Sequence, residues 1–279
     1  MNRVEAELRA IAATTRKELR LMRRYPAEIV ALAVWMLLLP LAYIAQATAF
    51  SGGGPASVAA FERRAGTDDY VAFLYLGWSV YLWITAVLWG PGLALRQERQ
   101  RGSFETMFAS PASRFTLLFG GAPAQIVPVL VVFASAAASM RLLFGVPLDG
   151  GDLVRWLAVL ALAFPVLMAL GAVFATASLS LQDASGALQI SRGAFTLLCG
   201  VTYPLAVLPE PLRAVGKALP PTQVLDALRA VTAGHEGLAA RLPGLAVLLG
   251  EAVVAAGLAM ALLWLSVRHA RRAGKLGLF

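Results

Sequence analysis

Six long apolar stretches, separated by short polar segments, dominate the hydrophobic pattern of the chain. Each is close to the ~20 residues that a helix needs to cross a hydrocarbon core of ~30 Å. The pattern predicts an all-α integral membrane protein with six transmembrane helices, forming a single transmembrane domain over residues 1–279. The predicted spans are Ala27–Ala49, Tyr70–Leu95, Phe115–Met140, Leu153–Leu181, Ala187–Leu208 and Pro243–Val267.

Composition and charge give these spans an orientation. The chain is 59% hydrophobic and only 14% charged, as expected for a membrane protein. The side that holds the amino terminus, the linkers after the second and fourth predicted spans and the basic tail 268–279 carries 16 of the 24 basic residues but seven of the 16 acidic ones, counted with Glu28 and Arg192 of the adjoining spans. By the positive-inside rule this side is cytoplasmic, and both termini face the cytosol. Because the positive charge is spread along a membrane edge, we expect no nucleic-acid partner.

Residues 1–25 form a predicted amphipathic helix. Basic residues cover much of the surface opposite one apolar face. That arrangement predicts a helix lying in the membrane interface, with membrane lipids as partners and Pro26 marking the turn into the first span. A soluble cytosolic helix is the alternative, because Glu5, Glu7 and Glu18 dilute the charge. The apolar face is formed by Val4, Leu8, Ile11, Thr15, Leu19 and Met22.

The polar linker 96–114 contains the pattern of a short helix. Gly102 permits a turn, Ser103 is a suitable N-cap, and Glu105 complements the dipole of a first helical turn. The predicted helix covers Phe104–Ala109, and Ser110 and Pro111 follow it. Ser113 is then positioned to cap the third span.

The apolar residues of this short helix raise a choice about what covers them. Phe104, Met107 and Phe108 would be exposed between two membrane spans. Either they pack back on the membrane domain, or they fit a groove on a cytosolic partner.

The region 209–242 on the opposite side carries two further short helical patterns. They cover Pro209–Leu219 and Gln223–Ala230, separated by Pro220 and Pro221. Each is too short to span a bilayer. We expect them to form a lid or to dip into the outer leaflet, the alternative being an ordinary loop that caps the bundle.

The chain carries no recognisable catalytic motif. The string nearest to a P-loop ends in Gly216, Lys217 and Ala218, with Pro211 where the first glycine belongs and no hydroxyl after the lysine. The single cysteine, Cys199, cannot form an intrachain disulfide or a metal cluster. We therefore expect no catalytic residue, no metal site and no cofactor in this chain.

One carboxylate, Glu251, lies well inside a predicted span. It is either a polar site on a translocation path or outer gate, or a side chain that pairs with Arg229 or Arg241 or reaches water at the outer leaflet. A single such residue does not make a proton relay, which disfavours an ion-coupled carrier.

Three parts of the chain resemble permeases of the type-2 ABC exporter family. Glu98, Arg101–Glu105 and Ser110–Pro111 resemble the acidic, glycine and proline signature of the loop after the second span in that family. The amino-terminal helix resembles its elbow helix. The stretch Gly200–Gly234 resembles its fifth span and external helices. The resemblance covers essentially the whole chain.

The resemblance implies a function that the residues alone do not encode. It implies that the loop helix is a coupling helix on a separate ATP-binding subunit, which holds ATP and Mg. It also implies two such subunits and a second permease chain, expected to form a homodimer. The expected protein is an exporter of an amphipathic drug, lipid or glycolipid across a bacterial inner membrane; a scaffold or assembly subunit without transport is the alternative.

These expectations assign two sets of candidate residues. The substrate path or outer gate is assigned to Tyr203, Pro204 and Glu251. The residues assigned to ATPase coupling are Glu98, Arg101, Gly102, Ser103, Phe104, Glu105, Met107, Phe108 and Pro111.

Overall fold

The computed structural model describes residues 3–50, 69–102, 112–179, 183–233 and 238–272, with the single residues 63, 106 and 181. Over these residues the chain is helical, without a β-strand. Two short 3-10 turns, Ala122–Gln125 and Leu205–Val207, join neighbouring helices. The α-helices are α1 Arg3–Arg24, α2 Pro26–Phe50, α3 Tyr70–Trp89, α4 Pro91–Gln100, α5 Arg114–Phe119, α6 Ile126–Phe144, α7 Gly150–Ser178, α8 Ala184–Leu198, α9 Glu210–Lys217, α10 Pro220–Ala233 and α11 Leu238–Arg272.

Five helical stretches in the described part of the chain are long and apolar enough to cross a membrane. α3 and α4 together form one of them, and α5 and α6 another. They correspond to the first four predicted spans and the last, so the prediction of a multi-pass helical membrane protein is confirmed. Their bounds are Pro26–Ala49, Tyr70–Gln100, Arg114–Phe144, Gly150–Ser178 and Pro243–Arg268.

The fifth predicted span, Ala187–Leu208, differs from the structure. Its helix, α8, has 15 residues, so it rises only about 22 Å at ~1.5 Å per residue. The helix ends because Gly200 takes a left-handed conformation with a φ of +65°. The apolar residues beyond it form a turn with Val201 and Pro204 buried. The count of six spans is therefore not confirmed.

The amino-terminal helix has the predicted bounds. Tyr25 is the single residue between α1 and α2, and Pro26 begins α2 as expected from its position at a helix start. α1 packs against the start of α2, against α5 and against the 3-10 turn Ala122–Gln125. We call this part of the molecule the α1 end.

α7 is the central helix of the bundle, and it packs against α4, α10 and α11. An aromatic chain joins it to two neighbouring helices. Trp156 of α7 meets Phe133 of α6 edge-on at 6.1 Å between ring centroids, and Phe133 in turn meets Trp83 of α3 edge-on at the same distance. These contacts fix α3, α6 and α7 relative to one another.

α10 lies inside the bundle at the end opposite α1. It packs against α3, α7 and α11, and Val224, Leu225, Leu228 and Val231 are completely buried. Helices form at both places where short helical patterns are predicted in the region 209–242, as α9 and α10; the expected lid or dip into the outer leaflet stays a prediction. We call this part of the molecule the α10 end.

Candidate functional sites at the two ends of the bundle

The predicted coupling helix Phe104–Ala109 lies almost entirely outside the described residues. Of that helix only Thr106 is described, and it is helical. Ser103, Phe104, Glu105, Met107, Phe108 and Pro111 fall outside the described part, so their predicted role stays a prediction. The residues that flank this segment, from Glu98 to Gly102 and from Ala112 onward, are described. We call residues 103–111 the coupling segment.

The chain before the coupling segment is joined to α1 by an ion pair. The Lys17 Nζ atom of α1 lies 2.5 Å from the Glu98 Oε1 atom of α4. Arg101 adds a second, longer contact, with its Nη1 atom 3.7 Å from the same oxygen. Gly102 then turns with a φ of +74°, a conformation that favours glycine. Glu98, Arg101 and Gly102 are thus brought together where the chain leaves α4.

The chain after the coupling segment is joined to α1 by a carboxylate. Ser113 caps α5, since its Oγ atom accepts a hydrogen bond from the Thr116 amide, which confirms the cap expected at this position. The Glu7 carboxylate accepts hydrogen bonds from the Ser113 amide at 3.0 Å, from the Ser113 hydroxyl at 2.9 Å and from the Thr116 hydroxyl. A negative charge at a helix amino terminus also complements the helix dipole.

The carboxyl end of α7 is bound by two arginines of α4. The Arg96 Nη1 atom donates to the Ser178 and Leu181 carbonyls at 3.2 and 2.7 Å. The Arg99 Nη1 atom donates to the Leu179 carbonyl at 2.9 Å. The last carbonyls of a helix have no partner within the helix, and cations there also complement its dipole. α4 and α7 are therefore joined at the α1 end.

The same helix, α7, is bound to α10 at the other end. The Trp156 Nε1 atom donates to the Thr232 hydroxyl at 2.7 Å, a contact in which both residues are buried. The Arg155 Nη1 atom donates to the Val231 carbonyl at 3.2 Å. Because α7 makes polar contacts near both of its ends, it connects the two ends of the bundle.

Arg229 of α10 binds three backbone carbonyls. Its guanidinium donates to the Gly200 carbonyl at 3.0 Å, to the Phe73 carbonyl at 3.1 Å and to the Val201 carbonyl at 3.2 Å. It also stacks on the Phe73 ring, with Cζ 3.3 Å from the ring centroid. Burial lowers the pKa of Arg229 to about 9, which leaves the group charged at neutral pH. Arg229 thus ties α10 to the start of α3 and to the turn after α8.

Gly77 permits the close approach of α3 and the turn after α8. A Cβ atom at this position would lie 2.0 Å from the Val201 carbonyl oxygen, well inside van der Waals contact. Any larger residue would push apart the two backbones that Arg229 joins.

Glu251 is paired with a residue that neither sequence alternative named. Its Oε1 atom accepts a hydrogen bond from the Gln223 Nε2 atom of α10 at 2.9 Å. The expected pairing with Arg229 is wrong, because Arg229 is committed to backbone carbonyls. The Arg241 side chain lies outside the described part. The Glu251 Oε2 atom is buried and has no hydrogen-bond partner within the part of the chain that the structure describes.

Tyr203 and Pro204 belong to a different set of contacts from Glu251. The Tyr203 hydroxyl donates to the Leu197 carbonyl at 2.5 Å, which closes the end of α8. Pro204 is buried and precedes the 3-10 turn Leu205–Val207. No hydrogen bond joins Tyr203 to Glu251 among the described residues. The contact of Tyr203 lies in the turn after α8, and the assignment of these three residues to a substrate path or outer gate stays a prediction.

Sequence reasoning missed the residues that make the longest-range contacts. Arg229 was considered only as a partner for Glu251, and Gly77 was not singled out. Glu7 was read as a residue that dilutes the basic face of α1. Its carboxylate accepts hydrogen bonds from Ser113, which lies more than 100 residues away along the chain. Local periodicity carries no signal for such a pair, because it reports which face of a helix is apolar and not which distant group meets a polar side chain.

The chemistry available at these contacts is that of binding and positioning. Within the described ranges, no group of three or more His, Cys, Asp or Glu side chains is arranged to hold a metal ion. The polar groups brought together are ion pairs, helix caps and carbonyl contacts that join one helix to another.

Comparison with protein families gives a match over most of the chain. The family model described as ABC-2 type transporter matches residues 9–232. The match includes most of α1 from residue 9 onward, both flanks of the coupling segment, α7 and nearly all of α10. A comparison with curated proteins gives no match. The chain belongs to the ABC-2 type transporter family, whose members are membrane components of transporters and are not themselves catalytic.

Proposed function

We propose that this chain is the transmembrane subunit of an ATP-driven exporter that moves an amphipathic drug, lipid or glycolipid across a bacterial inner membrane. Two copies of a separate ATP-binding subunit hold ATP and Mg and drive two permease chains, which pair as a homodimer. Both termini and the coupling segment face the cytosol. The chain acts as a single transmembrane domain over residues 1–279.

The observation that carries this proposal is the attachment of α1 to both flanks of the coupling segment. Lys17 contacts Glu98 before it, and Glu7 binds Ser113 after it. A segment held on both sides transmits force to the helices that hold it. This arrangement favours a docking role for the apolar residues Phe104, Met107 and Phe108 over a purely structural one.

The contacts of α4 and α7 supply a route from the coupling segment to the α10 end. In the mechanism we propose, closure of the ATP-bound subunits displaces the coupling segment and with it α4. Arg96 and Arg99 then move the carboxyl end of α7. α7 carries the displacement to α10 through Arg155 and Trp156. Glu251, joined to α10 by Gln223, lies where this motion would alter an exit path.

The test is co-purification of the chain with the ATPase encoded nearest to it, followed by ATP hydrolysis in lipid nanodiscs. We expect a complex of two permeases and two ATPases, with hydrolysis stimulated by the permease. Phe104→Asp should abolish the stimulation, because an aspartate makes no apolar contact with the ATPase and its charge is costly to bury in the interface. Phe104→Leu is the matched control, since it keeps an apolar side chain and should retain most of the stimulation.

Two outcomes would contradict the proposal. If Phe104→Asp folds and stimulates hydrolysis as well as the wild type does, the coupling role of this segment is wrong. If no competent ATPase binds the chain, the evidence turns toward a membrane scaffold or assembly subunit without transport.

A further inference from the structure

A half-buried arginine of α8, Arg192, has no acidic partner in the described part of the chain. Arg192 is the ninth residue of α8, so it lies about 12 Å along the helix from Ala184 at ~1.5 Å per residue. The sequence pattern had assigned it to the charged cytoplasmic edge. In the structure its Nη1 atom donates to the exposed Gln189 side chain at 3.0 Å, and its Nη2 atom donates to the hydroxyl of Tyr81, which lies near the middle of α3, also at 3.0 Å. Over the described part of the chain, no carboxylate lies within 4.0 Å of its guanidinium.

Three hydrogen-bond donors in and beside Arg192 have no acceptor among the described residues, although its two Nη atoms have one each. The Arg192 Nε atom is buried without a partner. The Tyr81 hydroxyl accepts from Arg192, and no acceptor for its own proton is found in the described ranges. The Trp78 indole, one turn from Tyr81 on the same face of α3, has a buried Nε1 atom without a partner, and Trp78 is only 5% exposed. A charged group and several donors without acceptors are costly to bury between membrane helices.

Aromatic rings surround this set of donors. The Arg192 Cζ atom lies 5.6 Å from the centroid of the Tyr81 ring. Trp78 meets Tyr81 edge-on at 5.1 Å, and Tyr43 of α2 lies 5.2 Å from Trp78. Tyr43 is 38% exposed, so the cluster is reached from the α2 side. We call Tyr43, Trp78, Tyr81 and Arg192 the arginine–aromatic cluster.

We infer that the arginine–aromatic cluster binds the anionic head group of an amphiphile, and that the transported substrate is therefore an anionic amphiphile. An oxyanion such as a phosphate or carboxylate supplies the acceptors that Arg192, Tyr81 and Trp78 lack, and guanidinium groups bind such anions in a planar, two-point geometry. The aromatic rings contact the apolar body. Because Tyr43, Trp78 and Tyr81 lie on two of the candidate spans and Tyr43 is exposed, the ligand enters from the bilayer. The assignment of this ligand as substrate rests on the proposed export function.

The binding test uses the full-length chain with its ATPase in nanodiscs of phosphatidylcholine, and radiolabelled dodecyl phosphate as the probe. Binding is measured against empty nanodiscs, to remove partition into lipid. Arg192→Gln should weaken binding by roughly 10- to 100-fold, the range for loss of hydrogen bonds to a charged group. Arg192→Lys should recover part of the affinity, since it restores the charge without the planar fork.

The matched control for charge removal is Arg268→Gln. Arg268 also stacks on an aromatic ring, with Cζ 4.9 Å from the Trp264 centroid, but it is exposed at the far part of α11. This variant should bind the probe as the wild type does. Equal loss in Arg192→Gln and Arg268→Gln would overturn the site, because it would report a general effect of net charge.

Two competitors define the chemistry of the ligand. Dodecyltrimethylammonium has the same chain with the opposite charge and should not compete. If it competes as well as unlabelled dodecyl phosphate, the cluster recognises only the chain and the anionic assignment is wrong. Inorganic phosphate should compete weakly; equal competition would identify a site for a free anion and overturn the amphiphilic part of the inference.

ATP-driven movement of the probe separates this inference from the proposed function. Binding that depends on Arg192, without ATP-driven movement, supports the site and contradicts the transport role. ATP-driven export of other amphiphiles by Arg192→Gln at the wild-type rate, with no binding of dodecyl phosphate to the wild type, supports the exporter and overturns the inference.

Discussion

The two ends of the bundle are held together by different kinds of contact. At the α1 end, α1 is attached by polar side chains, and the Lys17 side chain in its ion pair is 48% exposed. At the α10 end, α10 is surrounded by helices, and the half-buried Arg229 binds three carbonyls of buried residues. Exposed ion pairs contribute little to stability, whereas buried packing and satisfied buried groups contribute much.

This difference indicates which end can change at low cost. The contacts of α1 can break and form again in water. α10 can move only together with α3 and α7, because a movement of α10 alone would leave buried carbonyls without donors. The α1 end is suited to receive a displacement, and the α10 end to move as one unit with the helices around it.

The largest expected effect is at the α10 end. Arg229→Met should lower the free energy of unfolding by about 3 kcal/mol or more, since the carbonyls of three buried residues, Phe73, Gly200 and Val201, lose their donor. Thermal unfolding of the purified chain, followed by size-exclusion chromatography after heating, measures the loss as a lower Tm.

Arg213→Met is the matched control for Arg229→Met. Arg213 of α9 also donates to two carbonyls, those of Ala206 and Leu208, but its side chain is 31% exposed. Its loss should cost less than about 1 kcal/mol, because water replaces the donor. Similar melting temperatures for the two variants would remove the basis for calling the α10 end the more firmly held one.

A smaller effect is expected where α1 caps α5. Glu7→Ala removes the acceptor of the Ser113 amide and of two hydroxyls, and should cost about 1–2 kcal/mol, as for the loss of a helix cap. Glu5→Ala is the control two residues away, since Glu5 pairs only with the exposed Arg9 in the described part of the chain. The measurement is again Tm, with ATPase stimulation as a second readout. Equal Tm values for Glu7→Ala and Glu5→Ala would show that the cap contributes nothing.

The smallest effect on stability is expected at the exposed ion pair. Lys17→Met should change the free energy of unfolding by less than about 1 kcal/mol. It should nevertheless reduce ATPase stimulation, because it detaches α1 from α4. Arg20→Met removes an equal charge from the exposed surface of α1 and serves as the control. If Lys17→Met lowers Tm as much as Arg229→Met does, the proposed contrast between the two ends is wrong.

Salt concentration sharpens the same contrast without a mutation. Screening weakens exposed ion pairs, with a Debye length of ~8 Å at 0.15 M and ~3 Å at 1 M ionic strength. When the ionic strength is raised from ~0.15 M to ~1 M, ATPase stimulation should decrease in the wild type and change little in Lys17→Met.

The helices that the sequence predicted well are those set by local pattern. α1, the turn at Pro26, four long spans, the last span and the Ser113 cap follow from apolar periodicity, length and capping chemistry. These properties depend on residues within a few turns of one another, which a single sequence displays.

The features that the sequence did not predict depend on distant contacts. Residues 199–208 are as apolar as a membrane span, yet Gly200 turns the chain and Arg229 holds the turn from 28 or 29 residues away. Hydrophobicity reports burial and does not distinguish a buried helix from a buried turn. The partners of Glu251 and Arg192 were missed for the same reason, because Gln223 and Tyr81 lie on other helices.

Only Tyr25 lies between α1 and α2, so a tilt of α1 about this residue would displace its distant residues more than its near ones. At ~1.5 Å per residue, Lys17 is about 12 Å from the pivot and Glu7 about 27 Å. A tilt of about 5° would therefore displace Glu7 by about 2.4 Å but Lys17 by only about 1 Å, with the arms taken from the same rise. The first displacement exceeds what a capping hydrogen bond tolerates, whereas the long lysine side chain follows the second. α1 would thus release the chain after the coupling segment, at Ser113, before the chain that precedes it, at Glu98. The length of α1 sets this order.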